Sequence, residues 1–430
     1  MASRGDINID EVQPKLFDGW KKLRIEETLE KSGSFTKLKS KDYFDEGQFP
    51  VVDQGDKFIS GFVNDENLLY KGELPIIIFG DHTRNVKYID FPFATGADGT
   101  KILKPKAFYN SKFYHYYFKS LKVPNLGYSR HFSILKEIEF PLPQLAEQNR
   151  IVVKLDRLFA QLEAIKTSLK TIPLLLKDFR QKVLTEAVTG KLTEEWRKAK
   201  KLDEWKNEFL NNICNSITDG DHQAPPQVSE GVPFLVISNV SKGYFEFEKV
   251  SRFVPKEYFN SLKDSRKPKT GDILYTVTGS YGIPLLVDFE KEFCFQRHIA
   301  ILRPDNNKIL SSFLKFSLQS DLMLSQAHNV ATGTAQLTVP LGGIKRFEIN
   351  LPSLAEQQEI VRRVESVFTK ADTIEEQYKS LKAQIDTLPQ SILHKAFKGE
   401  LTEQLDSDGD ARELLEEIKT LKSEIKKKSK

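Results

Sequence analysis

The amino-acid sequence predicts an α+β protein in which two globular mixed α/β domains are separated by two long helices. Three observations predict this fold. One stretch of the chain occurs twice, and both copies carry the apolar spacing of a coiled-coil helix. The segments outside the copies alternate short apolar runs with Gly, Pro and Asp, which is typical of strands and turns.

The repeated stretch occupies residues 142–193 and 351–402, and a constant shift of 209 positions aligns the copies without a gap. Both copies begin with the pattern LPxLAEQ and end with GKLT or GELT. Identical pairs include Glu147/Glu356 and Gln148/Gln357. A duplication of this kind predicts two similar halves with pseudo-twofold symmetry.

Within each copy, apolar residues recur in alternating steps of four and three, which are the a and d positions of a coiled coil. A helix with one such stripe is marginal alone, so we expect the two copies to cover each other. Pro173 and Pro389 are expected to kink or break their helices. The predicted seam comprises Ile151, Leu155, Leu158, Leu162, Ile165 and Leu169 of the first copy, and Ile360, Val364, Val367, Ala371, Ile374 and Tyr378 of the second.

These patterns divide the chain into four segments. We expect a globular domain over residues 1–142, a helix over 143–196, a second domain over 197–351, and a second helix over 352–430. The last segment includes a short C-terminal helix, whose start is indicated by Asp410 and Glu413.

Composition restricts the class of protein. The net charge is +4, and the only cysteines are Cys214 and Cys294, so a reducing, cytoplasmic setting is expected. No apolar run reaches the ~18 residues of a membrane span. The sequence contains no GxxxxGK[ST], GxGxxG, HExxH or paired CxxC motif. We therefore expect no catalytic residue, no metal site and no bound cofactor in this chain.

Basic residues are concentrated in particular segments. Residues 99–136 contain no Asp or Glu but many lysines, a distribution that favours contact with nucleic-acid phosphates over a plain solvated surface. For the aromatic residues of the same segment, packing into a core is favoured over base stacking. The candidate phosphate ligands are Lys101, Lys104, Lys106, Lys112 and Arg130, with Lys267 and Lys269 in the second domain.

The turn-rich segments also contain side chains that can hydrogen-bond to base edges, although surface loops in general contain such residues. In the first domain the candidates are His82, Thr83, Arg84 and His131. In the second they are His222, Gln223, Thr276, Thr278, Ser280, Tyr281, Thr332, Thr334 and Gln336.

The duplicated LPxLAEQ helix ending in GKLT or GELT, placed after each of two dissimilar domains, resembles the specificity (S) subunit of type I restriction–modification systems. The run GDILYTVTGSYG is similar to the recognition-domain signature of that family, whereas the first domain has IIIFGDHTRN in its place. The resemblance implies a non-catalytic DNA-binding subunit. Each target recognition domain would read one half of a bipartite, asymmetric site, and the helices would pair antiparallel as a spacer.

The same resemblance implies the partners. These are double-stranded DNA, two methylation subunits that bind S-adenosylmethionine and methylate adenine, and restriction subunits in the full complex. Two alternatives remain open: a coiled-coil adaptor that binds only proteins, and an enzyme acting on nucleic acid through an unrecognised active site. DNA binding separates the first alternative from the resemblance, and activity of the isolated chain separates the second.

Overall fold

The computed structural model describes residues 8–32, 35–127, 130–220 and 225–408, together with 413, 416 and 420. The chain forms two compact units. The first unit comprises Met1–Leu169 and Ser380–Lys430, and the second comprises Lys170–Lys379. Each unit therefore combines one globular part with portions of both repeated stretches, whereas the sequence pattern placed each helix between domains. Asp410, and most of the C-terminal helix expected around it, lies outside the described residues.

In the first unit the strands are β1 (Lys21–Arg24), β2 (Lys37–Leu38), β3 (Phe49–Val52), β4 (Gly61–Val63), β5 (Ile76–Gly80), β6 (Val86–Ile89), β7 (Ala94–Gly96), β8 (Thr100–Leu103) and β9 (Glu139–Leu142). The helices are α1 (Ile9–Val12), α2 (Ile25–Thr28), α3 (Ser111–Ser120), α4 (Phe132–Leu135) and α5 (Leu145–Leu169).

In the second unit the helices are α6 (Ile172–Val188), α7 (Glu194–Lys200), α8 (Leu210–Ile213), α9 (Lys256–Ser261), α10 (Ser311–Gln319), α11 (Asp321–Val330) and α12 (Leu341–Ile344). The strands are β10 (Lys206–Phe209), β11 (Cys214–Asp219), β12 (Val232–Leu235), β13 (Phe253–Val254), β14 (Ile273–Thr276), β15 (Pro284–Leu286), β16 (Cys294–Phe295), β17 (Ile299–Pro304) and β18 (Glu348–Leu351). Helix α13 (Leu354–Phe397) contributes residues 354–379 to this unit and 380–397 to the first.

The two units share the central part of their sheet topology, although corresponding sheets differ by one strand. A central strand, β5 or β14, is antiparallel to both of its neighbours, β6 and β8 or β15 and β17. A second sheet in each unit contains a parallel pair, β3 with β7 or β12 with β16. A third, two-stranded sheet joins the start of each globular part to its end, through β1 with β9 and β10 with β18. The internal repeat therefore extends from the sequence to the fold of each globular part.

The repeated stretch is helical in both copies, but the two prolines act differently. The first copy is divided into α5 and α6, and Pro173 lies in the first turn of α6, where a missing N–H leaves no helical hydrogen bond unmade. Pro389 lies inside α13, which continues to Phe397. The predicted break is thus found at Pro173 only.

The glycines that follow α6 and α13 both have positive φ, 77° at Gly190 and 73° at Gly399. This left-handed conformation explains the Gly of GKLT and GELT as a helix terminator.

Burial of the predicted seam is uneven along both copies. Leu155, Leu162 and Leu169, spaced by seven residues, are buried, as are Ile151, Ile360, Val364 and Ala371. Leu158, Val367 and Tyr378 are half-buried. Ile165 and Ile374 are exposed to 47% and 49%, so their assignment as seam residues is wrong for the chain as it stands. The physical reason is that the globular parts cover the two ends of each repeated stretch and leave its middle more exposed. Ile151 and Leu155 lie in the core of the first unit with Ala396 and Phe397, and Ile360 and Val364 lie in that of the second with Leu184 and Ala187.

The aromatic residues of α3 form part of the first unit's core. Phe113, Tyr114, Tyr117 and Phe118 are all buried, and Tyr114 stacks on Phe140 with ring centroids 4.9 Å apart. The interpretation that this aromatic cluster packs inward is confirmed.

Candidate nucleic-acid interface

The glutamine of each LAEQ motif attaches a repeated helix to its globular part. In the first unit, the side-chain oxygen of Gln148 accepts a hydrogen bond from the Asn110 N–H at 2.8 Å, just before α3. Its amide nitrogen donates to the Phe108 carbonyl at 3.0 Å and to the Pro143 carbonyl at 2.9 Å. Because Gln148 is fully buried, these contacts fix the orientation of α3 on the start of α5.

Gln357 makes the same three contacts in the second unit. Its oxygen accepts from the Leu310 N–H at 2.8 Å, and its nitrogen donates to the carbonyls of Lys308 and Pro352, both at 2.9 Å. The repeated glutamine therefore explains why the LPxLAEQ pattern occurs at both places. It holds each globular part in one orientation on its helix.

The glutamate of each motif accepts a hydrogen bond from a tryptophan. Trp20 Nε1 donates to Glu147 Oε2 at 3.0 Å, and Trp205 Nε1 donates to Glu356 Oε2 at 3.0 Å. These contacts attach the beginning of each globular part to the helix that follows it.

The second carboxylate oxygen distinguishes the units. Glu356 Oε1 accepts from Thr193 Oγ1 at 2.7 Å and from the Arg197 guanidinium at 3.0 Å. In the first unit, Glu147 Oε1 and Thr402 Oγ1 are buried without a hydrogen-bond partner among the described residues. Burial raises the pKa of Glu147, opposed by the Gln404 and Trp20 side chains.

At one end of the second unit's central sheet, three loops lie side by side. The Val277 N–H donates to the His298 carbonyl at 2.9 Å, and the Val339 N–H donates to the Val277 carbonyl at 2.8 Å. The Gly279 N–H donates to the Leu337 carbonyl at 3.1 Å. We call residues 277–282, 296–298 and 331–338 the second loop cluster.

Most of the predicted base-contacting residues of the second domain lie in this cluster. Ser280, Thr332, Thr334 and Gln336 are exposed, and Tyr281 is half-buried. The Tyr281 hydroxyl is hydrogen-bonded to His328 Nδ1 at 2.5 Å. The structure thus brings together side chains that are separated by some fifty residues in the sequence.

Two predicted contacts in this region are instead structural. Thr276 is fully buried, and its Oγ1 accepts from the Ile283 N–H at 3.0 Å, so its assignment as a base contact is wrong. Thr278 is buried as well and accepts from Thr338 Oγ1 at 3.2 Å. Short hydroxyl side chains close tight turns as readily as they read bases, so residue type alone could not distinguish these roles.

Two further members of the cluster were not among the predicted base contacts. Arg297 is exposed in the turn between β16 and β17, and His298 is half-buried beside it. Burial, together with the charge of Arg297, lowers the pKa of His298. The signal that could have identified them is their place in a turn between two strands. His222 and Gln223 lie outside the described residues.

The first unit has a matching end. The Asp81 N–H donates to the Gly99 carbonyl at 2.9 Å, and the His131 N–H donates to the Asp81 carbonyl at 2.8 Å. These bonds correspond to those of Val277, so IIIFGDHTRN occupies the place of ILYTVTGSYG. We call residues 81–85, 97–99 and 130–131 the first loop cluster.

The predicted residues of the first loop cluster differ in accessibility. Arg130 is exposed, whereas His82, Thr83 and Arg84 are half-buried. Thr83 Oγ1 donates to the Gln54 carbonyl at 2.5 Å, and the Arg84 guanidinium to the Val123 carbonyl at 3.1 Å.

His131 cannot serve as a base contact, and that prediction is wrong. The residue is fully buried, with its ring nitrogens 2.9 Å from the Asp81 carbonyl and 3.1 Å from the Leu126 backbone nitrogen. Its imidazole therefore links the backbone at Asp81 to the backbone at Leu126 from inside the unit.

The lysines of the acid-free segment have acidic or carbonyl partners from elsewhere in the sequence. Lys101 lies 3.7 Å from Asp81, Lys104 lies 3.7 Å from Glu73, and Lys112 lies 2.8 Å from Asp156. The hydrogen bond from Asp156 raises the pKa of Lys112. A segment that contains no acidic residue in the sequence therefore still has acidic side chains from other segments beside it in the fold.

The other candidate lysines are engaged in a similar way. Lys106 Nζ donates to the Glu27 carbonyl at 2.6 Å, Lys267 Nζ to the Asn260 carbonyl at 2.8 Å, and Lys269 Nζ lies 2.8 Å from Asp264. Partly exposed pairs of this kind are weak and exchange readily, so the lysines remain available to phosphates.

Metal ligands and reactive thiols are two other features that could mark a functional site. Across residues 8–408, apart from the undescribed gaps, no three His, Cys, Asp or Glu side chains come together as a metal site. Both cysteine thiols have a pKa raised to about 12 by burial, which leaves them poor nucleophiles. No helix in the described part of the chain is long and apolar enough to cross a membrane.

The family model of the type I restriction modification DNA specificity domain matches residues 18–174 and 203–383. The chain belongs to this family of specificity subunits. Relatives include the type I restriction enzyme EcoBI specificity subunit of Escherichia coli, 31% identical over 84% of this chain and 82% of the relative. The EcoKI specificity subunit of E. coli K12 is 33% identical over 74% of this chain and 73% of its own length.

Solved structures share the fold of this specificity subunit. The HsdS subunit from Thermoanaerobacter tengcongensis matches with a TM-score of 0.57 and 17% identity, over 90% of this chain and 98% of its own. A chain from a structural study of assembly and conformational transition in the type I R-M system also gives a TM-score of 0.57 at 17% identity, covering 90% of this chain and 99% of its own.

Proposed function

We propose that this specificity subunit directs a type I restriction–modification complex to a bipartite, asymmetric double-stranded DNA target, with each loop cluster reading one half. The observation that carries this proposal is the shared backbone frame of the two clusters. In both, the residue after the central strand donates to one loop and accepts from another, at 2.9 and 2.8 Å. The same arrangement of backbone hydrogen bonds in both clusters suits them to equivalent roles in binding DNA.

The side chains on that frame differ, which accounts for asymmetry of the target. The second cluster presents Ser280, Thr334 and Gln336, whereas the first presents His82 and Arg130. Amide and hydroxyl groups pair with different base edges from those that a guanidinium prefers. Two unlike half-sites are the expected result.

The repeated helices would serve as the spacer and as the docking site for partners. We place two methylation subunits on these helices, with restriction subunits added in the full complex. S-adenosylmethionine would be bound by the methylation subunits, and this chain would contribute no catalytic residue. An antiparallel coiled coil with pseudo-twofold symmetry would let two copies of one subunit dock equivalently.

The spacer role is tested by lengthening both connections between the units. Matched insertions of four residues after Lys170, between α5 and α6, and after Lys379, inside α13, would lengthen both connections. Within α13, four residues add about 6 Å and a rotation of roughly 40°. We expect the gap between half-sites to change while both half-site sequences persist. An unchanged gap together with altered half-sites would contradict the spacer role.

The function itself is tested by reconstitution. The full chain with methylation subunits should bind a gapped target in a salt-dependent way and methylate adenine, and the chain alone should methylate nothing. Failure to bind DNA even with methylation subunits present would favour the adaptor alternative. Modification or cleavage of DNA by the purified chain alone would favour the enzyme alternative.

A further inference from the structure

A cavity of about 410 Å³ lies beside the first loop cluster. It is lined by Thr83, Arg84 and Asn85 of the cluster, by Lys122, and by Gln390 of α13, over an apolar floor that includes Phe118. Its lining carries two cationic side chains and, in the described part of the unit, no carboxylate. Such a lining is suited to an anion.

Arg84 occupies a backbone position that favours glycine. Its φ is 65°, and its N–H donates to the Gly80 carbonyl at 2.7 Å. At the corresponding turn of the second unit, the Gly282 N–H donates to the Thr276 carbonyl at 3.0 Å, and φ is 89°. A side chain at positive φ strains the backbone, so an arginine at this place indicates a role for its guanidinium.

The Arg84 guanidinium is only partly satisfied by the protein. One terminal nitrogen donates to the Val123 carbonyl at 3.1 Å. Its Nε is buried and has no hydrogen-bond partner among the described residues. A guanidinium has five N–H donors in a fixed fork that matches phosphate oxygens. With one terminal nitrogen bonded to Val123, the donors left for a ligand in the cavity are those of the terminal nitrogens.

Lys122 supplies a second positive charge. Its side chain is exposed, and its ammonium has no ion pair within the part of the chain that the structure describes. Burial lowers the pKa of His394, and the charges of Lys122 and Lys398 lower it further, which marks this surface as electropositive.

The second unit has no equivalent of this pair. Ser120 and Ser320 make matching hydrogen bonds to the carbonyls of Tyr117 and Ser317, at 2.6 and 2.7 Å, so Lys122 corresponds to Leu322. With Gly282 in place of Arg84, both corresponding positions are uncharged.

We infer that Arg84 and Lys122 bind a phosphodiester of the DNA backbone beside the first loop cluster. Arg84 therefore anchors the register of the DNA and does not read a base. This inference rests on the proposed function and assigns to the first unit a phosphate contact for which the second unit has no charged residue at the corresponding positions.

The test is a salt titration of DNA affinity for the complex assembled with methylation subunits. Fluorescence anisotropy follows a target duplex and an unrelated duplex between about 50 and 200 mM salt. The variants are Arg84→Gln and Lys122→Gln. Lys22→Gln is the charge-matched control, because Lys22 lies on β1 and is paired with Glu139 at 3.6 Å.

Each cavity variant should reduce the slope of log affinity against log salt by about 1 and leave the ratio of target to unrelated affinity unchanged. Near 0.1 M salt, a slope change of that size corresponds to a roughly tenfold loss on both duplexes. The control should leave slope and affinity unchanged. Arg84→Gly should reproduce the loss with no decrease in Tm, because glycine relieves the positive φ.

Three results would overturn the inference. Loss of target binding alone, with the slope unchanged, would make Arg84 a base reader. Unchanged DNA affinity in both variants would show that the cavity does not contact DNA. A Tm increase caused by inorganic phosphate in the wild-type chain but not in the variants, with DNA affinity unchanged, would assign the cavity to free phosphate. If the wild-type complex binds no DNA, the proposed function fails, which is a different outcome from all three.

Discussion

The two units of this specificity subunit are alike in the contacts that set their geometry and unlike in the side chains that they present. Gln148 and Gln357 make the same three hydrogen bonds, and Trp20 and Trp205 donate to equivalent glutamates. The loop clusters on these frames have different lengths and different polar groups. The comparison teaches that residues identical between the copies set the contact of each domain with its helix, whereas the loop clusters diverge.

The units also differ at one buried polar group. Glu356 is satisfied by Thr193 and Arg197 from the segment that follows α6. In the segment that follows α13, Thr402 stands where Thr193 does, and the place of Arg197 is taken by Asp406. The contact between tryptophan and glutamate therefore forms in the first unit without an equivalent of Arg197. In the second unit, Arg197 adds stability to it.

The largest expected effect tests the likeness of the two frames. Gln148→Ala and Gln357→Ala each leave several buried backbone groups without a partner, at about 1–3 kcal/mol per group. We expect each variant to lose at least about 3 kcal/mol of unfolding free energy, by similar amounts, with amide exchange accelerated in the affected unit. Gln384→Ala, at an exposed glutamine of α13, is the control. A large loss in only one of the two variants would contradict the equivalence of the frames.

The next effect tests the difference at the buried glutamates. Glu356→Gln removes a carboxylate that lies 3.0 Å from the Arg197 guanidinium, and should cost about 2 kcal/mol. Glu147→Gln should cost nothing measurable, because one oxygen of Glu147 has no partner and the amide avoids the burial of a charge. Both variants retain an acceptor for the tryptophan. Equal decreases in unfolding free energy, measured by thermal unfolding, would contradict this difference between the two glutamates.

The distinction between frame and loop also explains how far the sequence predicts this protein. The repeat, the helices and the inward packing of Phe113 and Tyr114 follow from periodicity and residue type. The predicted base contacts do not, because His131 and Thr276 have hydrogen-bonding side chains like those of the exposed loop residues and yet are fully buried. Whether a polar side chain faces inward depends on loop closure over long sequence distances, which no local pattern records.

The charge of the basic segment likewise depends on contacts between residues that are distant in the sequence. Lys112 finds Asp156 in a different element, so charge counted along the chain overestimates charge in space. The correspondence of Arg84 with Gly282 could not be read from the sequence either, because the turns that contain them differ in length.

A further stability effect depends on pH and again separates the units. Burial, with the charges of Lys119 and Lys112, lowers the pKa of His115 to about 3, whereas the corresponding position on α10 is Lys315. Between pH 6.5 and 3 the unfolded chain binds a proton at His115 that the folded chain does not, so stability falls as pH falls. The slope is at most about 1.4 kcal/mol per pH unit.

His115→Asn should remove this slope in the first unit and leave the second unit unchanged. Amide exchange of each unit, followed from pH 7 to about pH 4, measures it. A slope that persists in the variant would assign the pH sensitivity to other groups.

The most direct test of the account is a genome-wide map of methylated adenines in cells carrying either the wild-type chain or the double variant Thr334→Ala, Gln336→Ala. Both side chains are exposed in the second loop cluster. We predict that one half of the methylated motif relaxes, by about 1–3 kcal/mol of discrimination at the affected base pairs, while the other half and the gap stay the same. Changes in both halves, or a map that does not depend on this chain, would contradict the claim that each cluster reads one half of the target.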